Sequence, residues 1–72
     1  MGSGGWAEAA SGNVLYGAVN AGEEANGTPL YACRAWYNNG LHPGKVRQGF
    51  RGCNIGYGGA EIAVSHYEVL VH

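Results

Sequence analysis

The chain has 72 residues, 14 of them Gly, with 12% charged and 46% hydrophobic residues and a formal net charge of −1. So much apolar content with so little charge excludes a disordered acidic or basic tail, and the irregular glycine spacing excludes collagen. No 15-residue stretch is free of Gly, which costs a helix interior roughly 1 kcal/mol per residue, so a long helix or coiled coil is excluded as well.

What remains is a single small, turn-rich, all-β domain. Met1-Gly2-Ser3-Gly4-Gly5 reads as a flexible linker, and the domain runs over residues 6–72. Trp6-Ala7-Glu8-Ala9 is a short strand, and Ser11-Gly12-Asn13 a turn. Val14 to Asn20, apolar and small around Gly17, holds a second strand. Ala21 to Gly27 is a polar loop. Its Asn26-Gly27 pair signals a hairpin, because both residues accept positive φ. Pro29 to Tyr37 is the strongest strand, with Pro at its first position, where a missing N–H is tolerated. Leu30, Ala32, Arg34 and Trp36 share one face; Tyr31, Cys33, Ala35 and Tyr37 share the other. Both faces carry bulk, so both are expected to be covered at least in part.

Asn38-Asn39-Gly40 is a second turn, and Leu41 to Arg47 returns antiparallel. Pro43 suggests an irregular start or an edge. Gln48 to Gly52 loops around Phe50. Cys53 to Tyr57 is a strand, Gly58-Gly59 a turn, and Ala60 to Val64 leads into Ser65 to His72. In that last segment Tyr67, Val69 and Val71 oppose His66, Glu68 and Leu70. An apolar strand at the end of the chain needs a neighbour along its edge.

A chain of this size buries only about 60% of its unfolded surface and needs a staple. Two Cys allow one disulfide, Cys33–Cys53, worth roughly 3 kcal/mol, or two buried thiols. No metal quartet is evident, and self-association is the favoured staple. No basic run exists for nucleic acid. No apolar run approaches a membrane span, and the N-terminus lacks a charged-then-apolar signal pattern, so a soluble chain is expected.

Catalytic patterns are absent or weak. Neither Ser11 nor Ser65 sits in a nucleophile elbow. A Cys–His dyad is possible only combinatorially, which leaves a small hydrolase using Cys33 or Cys53 as a distant reading. His42, His66 and His72 match no zinc spacing. Gly40 to Lys45 lacks the hydroxyl residue and an N–H that a phosphate loop needs. Arg34, in an apolar strand, requires a partner such as Glu68 or Glu61.

Two features remain: the acidic loop Glu23-Glu24-Ala25-Asn26, and Lys45 in a rigid Pro-Gly-Lys bend. A carboxylate and an ammonium held close together grip vicinal hydroxyls, one accepting and the other donating charge-assisted hydrogen bonds. Trp36 or Tyr37 can cover the C–H face of a sugar. The bland alternative is a surface ion pair worth at most about 1 kcal/mol.

In chain order, Trp6, Gly17 to Glu24, Leu30 to Ala35, Pro43-Gly44-Lys45-Val46, Tyr57 to Glu61 and Tyr67 to Leu70 resemble the DM-nine domain family. The resemblance runs from Trp6 to Val71. It implies an antiparallel β-fold, small sheet or sandwich, that commonly occurs as a tandem pair with pseudo-twofold symmetry. It also implies sugar recognition: members include mannose-binding lectins of invertebrate innate immunity, and the domain accompanies natterin-like proteins. In those lectins an acidic residue after an Ala-Gly pair and the Lys of Pro-Gly-Lys hold the sugar. The matching positions are Glu24 and Lys45. Glu24 stands where those lectins carry Asp, and Ala60 where Lys is common. A single repeat is expected to complete itself as a homodimer, which also covers the last strand.

The expected protein is therefore a non-enzymatic carbohydrate-binding module for mannose or mannose-containing glycans. Glu24 and Lys45 are its ligand-binding residues, and Asn39, His42 and Tyr37 its wall. No cofactor or metal is expected. Each site should bind in the millimolar to micromolar range. The runner-up is a protein-interaction or assembly module with no sugar site.

Overall fold

A computed structural model describes residues 4–72. Seven strands form one antiparallel sheet: β1 Gly5–Ala10, β2 Asn20–Glu23, β3 Pro29–Tyr37, β4 Gly40–Val46, β5 Cys53–Tyr57, β6 Ala60–Val64 and β7 His66–Val71. The spatial order is β1-β7-β3-β4-β5-β6, with β2 beside β3. Among the described residues no helix is long and apolar enough to cross a membrane.

Register follows from the turns. Asn38 and Asn39 hold φ of 52° and 67°, the two left-handed residues of a tight two-residue hairpin, and close Tyr37 onto Gly40. Counting from that closed pair, Pro43 falls opposite Arg34 at a non-hydrogen-bonded position, so its nitrogen faces away from β3. Proline is thus accommodated inside the strand rather than at its start. The cost appears on the other side, where β4 pairs with β5 only at Gly44↔Ile55 and Lys45↔Asn54.

Alternation sorts the two faces. Cys33, Ala35, Val46, Cys53, Ile55, Tyr67 and Val69 are buried on one face and form the core. Trp6, Glu8, Arg34, Trp36, Leu41, Pro43, Lys45 and Asn54 lie on the other by register. That second face is not covered at its end: Trp36 is 69% exposed.

A single sheet can enclose a core only by folding over. Cys33 and Cys53 form a disulfide, with their Cα atoms 6.1 Å apart. Their strands are separated by β4, and two strand spacings in a flat sheet amount to nearly 10 Å. The sheet therefore creases at β4, closing β5 and β6 toward β3. Gly44 marks the crease, because a Cβ there would stand 2.7 Å from Cys53 Sγ and collide with the Asn54 carbonyl. The staple is thus a disulfide within one chain.

Three expectations change. Val14 to Asn20 is not a strand. A tight turn, in which the Ala18 N–H donates to Leu15 O, breaks it; Val19 then donates to Leu70 O and accepts from Ala32 N. The segment wedges between β3 and β7 and lays Val14, Leu15 and Ala18 on the core, so the strand begins only at Asn20, the last residue of the expected strand, and runs to Glu23 through the expected loop. The last strand, β7, is interior rather than exposed: β1 pairs along all of it and β3 meets it at Cys33↔Val69 and Arg34↔Glu68. It needs no partner chain to cover it. Finally, Gly5 already pairs with Val71, so β1 starts within the expected linker, of which Met1 to Ser3 lie outside the described residues.

Candidate functional site

Lys45 projects from the solvent face of β4 and is exposed. Its register partner on β5 is Asn54. Together with Pro43, Gly44 and Gly56 they line a depression of about 330 Å³ where β4 and β5 separate. The Lys45 ammonium leans across β3 toward β2. It stands 3.9 Å from where a side chain on Gly22 would begin, ordinary van der Waals distance, which places the ammonium beside β2. Among the described residues Lys45 takes part in no ion pair.

Glu24 follows β2 on the same side. Its loop is fixed by backbone bonds at both ends: the Glu24 N–H donates to Thr28 O at 2.8 Å, and the Gly27 N–H donates to Glu24 O at 2.8 Å. The Thr28 N–H donates to Asn26 Oδ1 at 3.0 Å. Gly27 alone of the Asn-Gly pair takes positive φ, 91°, so the hairpin closes through a longer loop than a two-residue turn.

The Glu24 carboxylate does not meet Lys45 directly. Its Oε1 lies 2.9 Å from Arg47 Nε. The Nε–H is not aimed at that oxygen and has no hydrogen-bond acceptor, so the contact is ionic. Both side chains are about one-third exposed, at 33% and 30%, which holds such a pair to about 1 kcal/mol or less. Arg47 is itself held: it donates from Nη1 to Gln48 O at 2.7 Å, and its guanidinium lies 4.6 Å from the Phe50 ring centroid. The result is a carboxylate oriented by a braced arginine, with a second oxygen left for other donors, on the same side as a free ammonium.

Tyr37, His42 and Asn39 lie elsewhere. His42 is three residues from Lys45, about 10 Å along the strand, and by alternation on the opposite face. Its Nε2 donates to Tyr37 O at 3.0 Å. The rings of Tyr37 and His42 meet Tyr57 edge-on at 5.1 and 5.4 Å, and Asn38 Nδ2 donates to the Tyr57 hydroxyl at 2.8 Å. Asn39 is exposed in the turn. These residues brace the hairpin tip against β5 and do not wall the Lys45 depression. Adjacency in sequence to the turn suggested them; period-two alternation and strand length separate them.

Asn54 and Arg47 are the neighbours that sequence reasoning missed. Arg47 was within reach, because it stands two residues from Lys45 and so shares its face. Asn54 required the β4–β5 register, which no local pattern announces. Arg34 pairs with Glu68, Nε to Oε1 at 2.7 Å, and its guanidinium lies 4.1 Å from the Trp6 ring centroid. Among the described residues no group of three or more His, Cys, Asp or Glu gathers.

No curated protein matches the chain. A family model described as the DM9 repeat matches residues 2–64. With a match over nearly its whole length and an all-β antiparallel sheet of the kind the resemblance implied, the chain belongs to the DM9 repeat family.

Proposed function

We propose that this chain is a carbohydrate-binding module that holds mannose-type glycans and performs no chemistry on them. Glu24 accepts hydrogen bonds from two neighbouring sugar hydroxyls, and Lys45 donates to the same region. The observation that carries this reading is the pairing of an ion-pair-free ammonium with a carboxylate whose backbone is pinned and whose one oxygen is engaged by Arg47. The held carboxylate loses little freedom on binding, which favours affinity for a ligand with few buried atoms, and among the described residues the ammonium has no ion pair to give up. Membership of the DM9 repeat family supports a binding role of lectin or interaction type. Asn54, beside Lys45, supplies an amide that both donates and accepts. The homodimer belongs to the same proposal, since two copies carry two sites and gain avidity on a glycan-coated surface.

A calorimetric or NMR titration with methyl α-mannoside tests the site. Lys45→Ala and Glu24→Gln should each weaken binding at least tenfold, about 1.4 kcal/mol, without loss of the β fold. An unchanged response in Lys45→Ala would overturn the mechanism.

A further inference from the structure

A second concavity, larger than the Lys45 depression, opens on the described residues. It is a groove of about 470 Å³ whose lining includes Glu8, Arg34, Trp36, His66 and Glu68. It exists because the ladder between β3 and β7 stops at Arg34↔Glu68. Past Ala35 and Tyr67, the next hydrogen-bonding positions of that ladder, Trp36 and His66, are not paired with each other, although each pairs with the strand on its other side. By the alternation of an antiparallel ladder, their backbone polar groups point into the gap. The indole of Trp36 stands beside that gap and is 69% exposed. So large an exposed apolar ring next to unspent hydrogen-bonding groups is the make-up of a ligand platform rather than of a merely solvated surface.

The groove shares its face with Lys45. Trp36 is paired with Leu41, and Leu41 lies four residues before Lys45 on β4, roughly 13 Å along the strand. Between them the face carries Leu41 and Pro43 on β4 and Arg34 and Ala32 on β3, with the Arg34 charge already paired to Glu68. Across β1, β7, β3 and β4, the cations Arg34 and Lys45 balance the anions Glu8 and Glu68 on this face. A polyanion or a basic peptide meets no net attraction there. A neutral chain of rings, each with an apolar C–H face and hydroxyl edges, meets an indole at one end and an ammonium at the other.

We infer that the Trp36 groove is a second sugar subsite, and that the ligand of this module is a neutral oligosaccharide spanning from Lys45 to Trp36 rather than a single terminal sugar. The Trp36 indole stacks on one pyranose ring. Glu8, His66 and the unpaired backbone of the gap take its hydroxyls. This deepens the carbohydrate reading and rests on it for the Lys45 end alone.

The test compares methyl α-mannoside with linear mannopentaose by calorimetry on wild type, Trp36→Ala, Trp36→Phe and Lys45→Ala. Wild type should bind the pentasaccharide at least tenfold more tightly than the monosaccharide. Trp36→Ala should remove that gain and leave monosaccharide affinity unchanged, while Trp36→Phe retains part of it. Trp36 packs little, so the alanine variant should fold, and circular dichroism checks it. Three results overturn the inference: no gain for the pentasaccharide in wild type, a gain that survives in Trp36→Ala, or a loss in Trp36→Ala that tracks a change in association state by light scattering. The last would make the indole a contact between copies. Pentasaccharide binding that depends on Trp36 but not on Lys45 upholds the groove and overturns the Lys45 reading; no binding of either sugar by wild type overturns both.

Discussion

Tyr67 enters the core with its ring, 4% exposed, and leaves it with its hydroxyl, which donates to Asn13 O at 2.9 Å. Burial raises the phenol above its ordinary value of 10.0, and a backbone hydrogen bond at Gly12 offsets part of the rise. A raised acid holds its proton more tightly in the folded state. Its contribution to stability is complete below the unfolded value near 10 and is lost as pH climbs through the folded one. Thermal melts from about pH 9 to 11 should fall more steeply for wild type than for Tyr67→Phe. At neutral pH the variant should be less stable by about 1 kcal/mol for the lost hydrogen bond. Parallel curves would sink the assignment. At this same scale, the candidate site was partly legible. Local sequence chemistry singles out Lys45 and Glu24 as candidates, although Pro43-Gly44-Lys45 lies within β4 rather than in a bend of its own. Asn54 comes to Lys45 only through a pairing between strands, and Tyr37 and His42 were misjudged because a strand turns alternate neighbours to opposite faces.

At the scale of elements, hairpins were legible and the wedge was not. Asn38-Asn39 and Gly58-Gly59 carry their turns in their own residues and close β3–β4 and β5–β6. Val14 to Asn20 has the composition of a strand, yet its hydrogen bonds go to two different strands, so tertiary placement overrode propensity. Sequence left two states open for Cys33 and Cys53; the structure joins them as a disulfide across β4. Among the described residues only Ile55, Val46 and Val69 are large aliphatic side chains below 2% exposure, each worth about 1.5–3 kcal/mol. With so small a core, the disulfide carries a large share. Its closed loop, over a sequence separation of 20, contributes about 3 kcal/mol by restricting the unfolded chain. The Cys33→Ser, Cys53→Ser double variant should melt roughly 10–20 °C lower than wild type by calorimetry. A shift of only a degree or two would show that noncovalent packing at the crease suffices.

For the molecule as a whole, the interior position of β7 removes one reason for a dimer and leaves another. The sheet path ends at β1 and β6, and among the described residues neither outer edge is paired. A free edge is a template for a second copy. Light scattering at micromolar concentration should return twice the 7.5 kDa mass, and a stable monomer would remove the dimer from the proposal. The crease at Gly44 has a consequence that joins the covalent bond to the ligand. The disulfide pulls β5 in on the core side of β4, while Lys45 and Asn54 form the depression on the opposite side of the same two strands. On the proposed carbohydrate reading, a glycan resting on Lys45 and Asn54 would hold those strands together, and opening the disulfide would let them part. Occupancy and thiol state are then reciprocal: whatever factor reduction takes from sugar affinity, bound sugar returns as resistance to reduction. Saturating mannoside should slow the reaction of Cys33–Cys53 with a dithiol, and an unchanged rate would mean that the two sides of the crease do not communicate.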